Sequence, residues 1–176
     1  MTDAIPKLTL VIGGAASGKS GFAEKLVLSS GQPRAYIATA QAFDAEMDQK
    51  IAKHQARRSG NWQTHEAPLA PWDALADIGP DHITLLDCAT VWLSNILLGN
   101  HPLDEAKNQL FASLKAHKGP IVIVTNEVGQ GVVPDNALAR EFRQQQGELN
   151  QQLAAFADLV VLVTVGLPLV IKGTLP

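Results

Sequence analysis

Near its start the chain carries an apolar run that leads directly into a glycine-rich loop, since residues 8–20 read LTLVIGGAASGKS. Gly13 to Ser20 fits the whole G-x-x-x-x-G-K-[ST] pattern, with a predicted buried strand at Leu8–Ile12 before it and helix-favouring residues after it. Glycines let successive backbone N–H groups turn towards phosphate oxygens, and the N-terminus of the following helix adds a partial positive charge. The alternative, a glycine-rich turn with a chance lysine, is weakened by this strand and helix context. The pattern therefore predicts a nucleoside triphosphate site, with Lys19 on the outer phosphates and Ser20 on Mg²⁺, formed by Gly13, Gly14, Ala15, Ala16, Ser17, Gly18, Lys19 and Ser20.

Composition narrows the classes of protein to which the chain can belong. With 176 residues, 46% of them hydrophobic, the chain is predicted to form a single domain over residues 1–176. The net charge of −3 and the lack of a basic block argue against a nucleic-acid partner. No apolar stretch reaches the ~20 residues of a membrane span, and the N-terminal residues lack the features of a signal peptide. The single cysteine, Cys88, is interpreted as a small buried side chain in a reducing compartment, so a cytoplasmic location is expected.

Strand-like and helix-like segments alternate along the chain. Four near-continuous apolar strands separated by helices predict an α/β fold with a mostly parallel sheet covered on both faces. The short joint at residues 165–167 predicts that the last two strands form an antiparallel hairpin. Asp135 is predicted to cap the longest helix, whose apolar stripe comprises Leu138, Phe142, Leu149, Leu153 and Phe156. The other predicted strands are Arg34–Ala40, Trp62–Glu66, Ile83–Asp87, Ile121–Thr125, Leu159–Val165 and Leu167–Ile171, and the predicted helices are Gly21–Ser29, Asp44–Arg58, Pro71–Ile78, Val91–Leu98, Leu103–His117 and Asp135–Ala157.

Two predicted strand ends carry polar side chains that suit chemistry on phosphates, because ligands of such folds bind beyond the carboxyl ends of the strands. Asp87 is interpreted as the acid that holds Mg²⁺ opposite Ser20, in preference to a cap of the next helix. Asn126 and Glu127 either position a substrate hydroxyl, a water or the metal, or simply end their strand with polar groups, and the pattern leaves both open. The glycines at 129 and 131 suggest a loop that moves over a ligand.

The predicted helix Asp44–Arg58 places a histidine in a basic setting. The spacing puts His54 on one helix face with Met47, Ile51 and Arg58. The other basic residues around it are Lys50, Lys53 and Arg57. Their charge favours the neutral, nucleophilic imidazole and attracts a polyphosphate. From these residues alone, the favoured interpretation is still a solvated basic helix end that complements the helix dipole.

Taken together, these motifs resemble the bifunctional adenosylcobinamide kinase and adenosylcobinamide-phosphate guanylyltransferase family of cobalamin biosynthesis. The loop alone is shared by a vast superfamily, and the specificity lies in the order of the motifs that follow it over nearly the whole chain. Those motifs are Tyr36–Thr39, Glu46–Met47 leading to His54, Trp62-x-Thr64-x-Glu66, Leu85–Cys88, Val124–Gly129, Val133–Pro134, Leu138–Arg143, Gly147, Asn150–Gln151 and Val165–Pro168. The sequence departs from the family's pattern at Ala16, where many relatives have arginine, and at Asp87, where they often have glutamate.

The resemblance implies a three-layer, RecA-like P-loop fold and two reactions that use Mg²⁺. In the first, the terminal hydroxyl of the aminopropanol arm of adenosylcobinamide receives a phosphoryl group from ATP or GTP. In the second, the new phosphate attacks GMP that is carried on an enzyme histidine. His54 matches that histidine, so His54 and Lys19 are the expected catalytic residues and the solvated-helix interpretation is overridden. Further nucleotide contacts are implied at Thr39, Ala40, Gln41, Gln55, Ala56, Arg57, Arg58, Glu66 and Asp87.

The same resemblance sets the expected partners and the alternatives. The partners are GTP, ATP, adenosylcobinamide and its phosphate, and the family's resemblance to trimers makes a homo-oligomer the expectation. Trp92 then belongs either to an interface or to the core. A simple P-loop kinase of another small alcohol and a non-catalytic nucleotide switch are the two competing functions.

Overall fold

A computed structural model of the chain describes residues 5–41 and 61–176. Within those residues the chain forms seven strands and five helices. The strands are β1 (Leu8–Gly13), β2 (Arg34–Ala38), β3 (Trp62–Glu66), β4 (Ile83–Asp87), β5 (Ile121–Asn126), β6 (Leu159–Thr164) and β7 (Leu167–Lys172). The helices are α1 (Lys19–Ser29), α2 (Pro71–Asp77), α3 (Ala89–Leu98), α4 (Leu103–Ala116) and α5 (Ala137–Phe156).

The seven strands form one sheet in the order β3-β2-β4-β5-β1-β6-β7. The neighbours from β3 to β6 pair in parallel, and β6 and β7 form the antiparallel hairpin. The predicted α/β class and the C-terminal hairpin are therefore confirmed. One strand, β5, separates the strand that precedes the glycine-rich loop from the strand that ends in Asp87, which is the RecA-like P-loop arrangement.

The core lies on both faces of the sheet, as predicted. On one face, α1 packs Ala23, Leu26 and Val27 against a cluster that includes Val11. On the other face, α2 to α5 cover a cluster that includes Leu10. Adjacent residues of β1 thus enter opposite layers, as the two-residue period of a strand requires, and each fully buried Leu or Val contributes about 1.5–3 kcal/mol. The result is a three-layer domain core with the sheet in the middle.

Several element ends differ from the prediction. Helix α1 begins at Lys19, two residues early, because the end of the glycine-rich loop already forms its first turn. Strand β2 ends at Ala38 rather than Ala40. Asn136, not Asp135, caps α5, because the Asn136 side chain accepts the Ala139 N–H. The remaining bounds agree with the prediction or differ by one or two residues, and the predicted helix Asp44–Arg58 lies outside the described residues.

Individual side chains refine the predicted core. In the predicted stripe of α5, Leu149 and Leu153 are fully buried, whereas Leu138 at the N-terminal end and Phe156 at the C-terminal end of the helix are exposed. Trp92 is fully buried in the core, and its indole N–H donates to Leu69 O at 3.0 Å. Cys88 is buried as predicted and caps α3, and burial, with the Asp87 charge beside it, raises the pKa of its thiol to about 12. None of the helices in the described ranges is long and apolar enough to cross a bilayer.

We expect His117 to make the stability of the protein depend on pH. Its ring is buried, Nδ1 lies 3.2 Å from Leu75 O, and burial lowers the pKa of the imidazole below 6.5, with Lys7 acting in the same direction. Below about pH 6.5 the His117 side chain is therefore protonated more readily in the unfolded chain than in the folded chain. The free energy of unfolding consequently falls as the pH falls. His117→Gln keeps a donor for Leu75 O but does not titrate. Urea unfolding should therefore show a smaller decrease in the free energy of unfolding between about pH 7.5 and about pH 5.5 for this variant than for the wild type. An equal fall in both proteins would contradict this.

Candidate active site

The predicted site residues of the described chain meet along one edge of the sheet. This carboxyl edge is where the parallel strands end. Gly13 at the end of β1 pairs with Asn126 of β5, and Asp87 at the end of β4 pairs with Val124 of the same strand. Ala38 of β2 pairs with both Asp87 and Glu66. Residues that are more than a hundred positions apart in sequence are thus brought to one place, where α/β folds bind ligands.

The phosphate loop, residues 13–20, has the backbone that anion binding requires. Ala16 and Gly18 both have positive φ, at 55° and 93°, so the loop curls its N–H groups inward. Gly18 caps α1 without any side-chain hydrogen bond, so the first N–H groups of the helix stay available to a ligand. Lys19 closes the curl by donating from Nζ to Gly14 O at 3.0 Å. Burial lowers the pKa of Lys19, and Cys88 and Asp87 partly offset this.

The turn between β6 and β7 supports the phosphate loop from outside, a contact that the sequence analysis missed. Gly166 N–H donates to Ser17 O at 2.8 Å, and a Cβ atom on Gly18 would lie 3.2 Å from Gly166 Cα. On the other side, Glu127 N–H donates to Gly13 O at 3.0 Å. The loop is therefore held between the β6–β7 turn and the end of β5. The glycine at 166 was the only available signal, and by itself it indicates no more than a turn.

Gly13→Ala should destabilise the ligand-free protein, whereas Gly14→Ala should not. A Cβ atom on Gly13 would lie 2.5 Å from Val163 O and from Ser17 Oγ, whereas nothing lies within 4 Å of one on Gly14. Because the backbone must move to accommodate the methyl group at position 13, we expect Gly13→Ala to lower the free energy of unfolding by about 1–3 kcal/mol. Urea unfolding without nucleotide measures this. Equal free energies of unfolding for the two variants would contradict the close packing around Gly13 in the phosphate loop.

Ser20 and Asp87 suit the Mg²⁺ site that the sequence predicts. Ser20 lies in the first turn of α1 and Asp87 ends β4, while the Tyr36 hydroxyl donates to Asp87 Oδ2 at 3.3 Å. One hydroxyl and one carboxylate are oxygen ligands of the kind that Mg²⁺ uses when substrate phosphates complete its shell. Within the described chain no three His, Cys, Asp or Glu residues cluster to form a self-sufficient metal site. The donor set thus fits a metal that arrives with a nucleotide.

The segment after β2 is fixed from inside the protein. Thr39 is fully buried, its hydroxyl donates to Cys88 O at 2.9 Å, and it accepts the Cys88 N–H at 2.8 Å. Asn95 of α3 donates from Nδ2 to Thr39 O and to Pro68 O, at 2.9 and 3.0 Å. The hydroxyl of Thr39 is thereby used within the protein, which leaves Ala40 and Gln41, both partly exposed, as the accessible part of the segment. Nucleotide contacts by these residues and by the exposed Glu66 stay predictions.

The loop after β5 is tied to α5 at Gly129, one of the two glycines that were predicted to let the loop move. Arg143 donates from Nη2 to Gly129 O, and the Gly129 N–H donates to the Glu127 carboxylate. Both contacts hold the stretch that was predicted to move, so its movement stays a prediction. His54, Gln55, Ala56, Arg57 and Arg58 lie outside the described residues, and the structure gives no position for the predicted nucleophile.

Comparison with known proteins decides the family. The family model of cobinamide kinase / cobinamide phosphate guanyltransferase matches residues 9–171. The chain belongs to this family. The cobinamide kinase / cobinamide phosphate guanyltransferase family thus accounts for almost the whole chain, and the resemblance given by its motifs is confirmed.

Named relatives agree with the family match. The chain is 43% identical to the bifunctional adenosylcobalamin biosynthesis protein CobP of Pseudomonas aeruginosa, over 93% of this chain and 96% of that protein. It is 40% identical to the bifunctional adenosylcobalamin biosynthesis protein CobU of Salmonella typhimurium, over 94% and 99%. Among solved structures, the RadB recombinase covers 90% of this chain with a TM-score of 0.46 and 16% identity. From the family match and the two relatives, the chain is a bifunctional enzyme of cobalamin biosynthesis, and its family implies nucleotide and cobinamide substrates.

Proposed function

We propose that this chain carries out both reactions of its family through a covalent GMP–His54 intermediate. It first phosphorylates the aminopropanol hydroxyl of adenosylcobinamide with ATP or GTP, and it then converts the phosphate into adenosylcobinamide-GDP. The observation that carries the proposal is the complete phosphate loop facing Asp87 and Asn126 at one sheet edge of a family member. The assignment of the covalent intermediate to His54 rests on the sequence motif.

In the kinase step, the chain's residues position and neutralise the triphosphate. The inward N–H groups of the phosphate loop and the first turn of α1 bind phosphate oxygens, and Lys19 exchanges its bond to Gly14 O for one to the outer phosphates. Mg²⁺, held by Ser20, Asp87 and the nucleotide, supplies charge that offsets the negative charge gathering on the phosphates. The substrate hydroxyl oxygen forms a bond to the γ-phosphorus as the bond from that phosphorus to the β–γ bridging oxygen breaks. ADP or GDP leaves, and the hydroxyl proton passes to solvent.

In the nucleotidyl step, the neutral imidazole of His54 acts as the nucleophile. A ring nitrogen forms a bond to the α-phosphorus of GTP while the bond to the bridging oxygen breaks and pyrophosphate leaves. A phosphate oxygen of adenosylcobinamide phosphate then attacks the same phosphorus, the P–N bond breaks, and the imidazole is restored. A phosphoramidate suits this relay because the imidazole is a good leaving group once it is protonated.

Selection of guanine is assigned to a carboxylate at the same edge. Glu66 ends β3, is exposed, and lies in register with Ala38, two residues before the accessible Ala40. A carboxylate accepts two hydrogen bonds from N1–H and the 2-amino group of guanine, and adenine has no matching pair of donors. We therefore assign base recognition to Glu66.

GTP labelled at the α-phosphorus tests the proposed intermediate. Incubation with the wild-type protein and Mg²⁺ should leave label on the protein that is lost in acid and kept in base, as a phosphoramidate requires. Addition of adenosylcobinamide phosphate should move that label into adenosylcobinamide-GDP. GTP labelled at the γ-phosphorus is the control and should leave the protein unlabelled. Formation of adenosylcobinamide-GDP with no protein-bound label at any time would contradict the proposal.

A further inference from the structure

A buried polar network lies directly behind the end of β5. It joins Thr125 on β5 with Thr90 on α3 and with Gln146 and Asn150 on α5, and each of the four is at most 7% exposed. The Thr125 hydroxyl donates to Asn150 Oδ1 at 2.7 Å, and Gln146 Nε2 donates to the same oxygen at 2.8 Å and to Thr125 Oγ1 at 3.0 Å. Apolar side chains would fill this space at a lower desolvation cost, so the polar groups point to a specific task.

The network fixes the backbone of one residue, Asn126. Its N–H donates to Thr90 Oγ1 at 2.7 Å, and its carbonyl accepts Asn150 Nδ2 at 2.9 Å. The next residue is fixed as well, because Glu127 N–H donates to Gly13 O of the phosphate loop. Three hydrogen bonds from three different elements therefore set the position of the end of β5 relative to the phosphate loop.

The side chain of Asn126, in contrast, has no task within the described protein. Its Oδ1 is shielded from solvent, and within residues 5–41 and 61–176 it has no hydrogen-bond partner. Asn126 pairs with Gly13 in the sheet, and Asp87 pairs two residues earlier on the same strand. A shielded carboxamide oxygen without a donor costs about 1–3 kcal/mol unless a ligand donates a hydrogen bond to it, and Asn126 ends the strand that lies between β1 and β4.

We propose that Asn126 is a further catalytic residue of the kinase step, and that Gln146 and Asn150 are positioning residues that act through it. Asn126 Oδ1 accepts a hydrogen bond from the substrate hydroxyl and so directs the hydroxyl oxygen at the γ-phosphorus. A neutral amide cannot take the proton of that hydroxyl, so its part is to orient the nucleophile and not to act as a base. This inference rests on the kinase half of the proposed function and is independent of His54.

Substitution of Asn126 separates this role from a structural one. Asn126→Ala should lower kcat for phosphorylation of adenosylcobinamide by about 10²-fold, with KM for ATP changed by less than about threefold. Its Tm should not fall, because Oδ1 has no hydrogen-bond partner among residues 5–41 and 61–176. Asn126→Asp has the same shape and keeps an acceptor for the hydroxyl but places a negative charge near the phosphates, so it should raise KM for ATP. Asn108→Asp on the exposed face of α4 adds the same charge elsewhere and should have wild-type kinetics.

The positioning residues have their own signature. Asn150→Asp replaces the donor to Asn126 O by an acceptor, so it should lower kcat with little change in KM, in addition to lowering Tm.

Wild-type protein without kinase activity would contradict the proposed function itself. Active wild-type protein together with an Asn126→Ala variant whose kcat is within about twofold of it would overturn this inference alone. Should Asn126→Ala lower Tm, Asn126→Leu, which keeps the shape of the side chain and removes the acceptor, decides by the same twofold limit in kcat.

Discussion

Replacement of Lys19 by methionine is expected to lower kcat for phosphoryl transfer by about 10²–10³-fold. Lys19 stands at the junction of the phosphate loop and α1, and its Nζ already lies 3.0 Å from Gly14 O, at the mouth of the curl of N–H groups. The side chain is partly buried, so its charge acts on the phosphates with little screening by water. Methionine keeps the apolar stem and removes the charge, which isolates the electrostatic contribution.

Steady-state assays with ATP and adenosylcobinamide measure this effect. Lys25→Met is the matched control, because Lys25 lies on the exposed side of the same helix. Its kinetics should stay within about twofold of the wild type. The guanylyl reaction of Lys19→Met should fall as well, since the same loop binds the triphosphate in both steps. Turnover of triphosphate at the wild-type rate by folded Lys19→Met would rule out a phosphate-loop mechanism.

Replacement of His54 by alanine should separate the two activities. Transfer of GMP should fall by more than about 10³-fold, because no covalent carrier is left. The kinase step needs no such carrier and should stay within about threefold of the wild type. Both activities are measured on one preparation by following adenosylcobinamide phosphate and adenosylcobinamide-GDP.

His101→Ala provides the control for the loss of an imidazole, because His101 is exposed beyond the end of α3 and has no proposed role. Both of its activities should equal those of the wild type. A folded His54→Ala protein that loses both activities to the same extent would show that the division of roles between the phosphate loop and His54 is wrong.

Local patterns predicted the fold and the sheet edge of the site. The strands Trp62–Glu66 and Ile83–Asp87 have the predicted bounds, and the latter is a buried, mainly apolar run that a single acid ends. The phosphate loop was predictable because its backbone shape requires a fixed order of residue types over eight neighbouring positions. The start of α5 was less predictable, since Asp135 and Asn136 are both good N-caps and only the packed structure selects the second.

The missed parts of the site depend on contacts between residues that are far apart in sequence. Gly166 supports Ser17 across about 150 positions, and the Thr125–Asn150 bond joins a strand to a helix. Neither contact leaves a periodic signal, because each involves only one residue of its element. The sequence left Asn126 open between a catalytic role and a plain strand end, and its fixed backbone together with its unused carboxamide now favours the former.

Mapping of the guanylyl group in the wild-type protein tests the central claim most directly. Protein incubated with GTP and Mg²⁺ is digested under basic conditions, which preserve a phosphoramidate, and its peptides are sequenced by mass spectrometry. The account predicts one GMP adduct, on the imidazole of His54, that disappears when adenosylcobinamide phosphate is added. An adduct on any other residue, or none in a preparation that is making adenosylcobinamide-GDP, would contradict it.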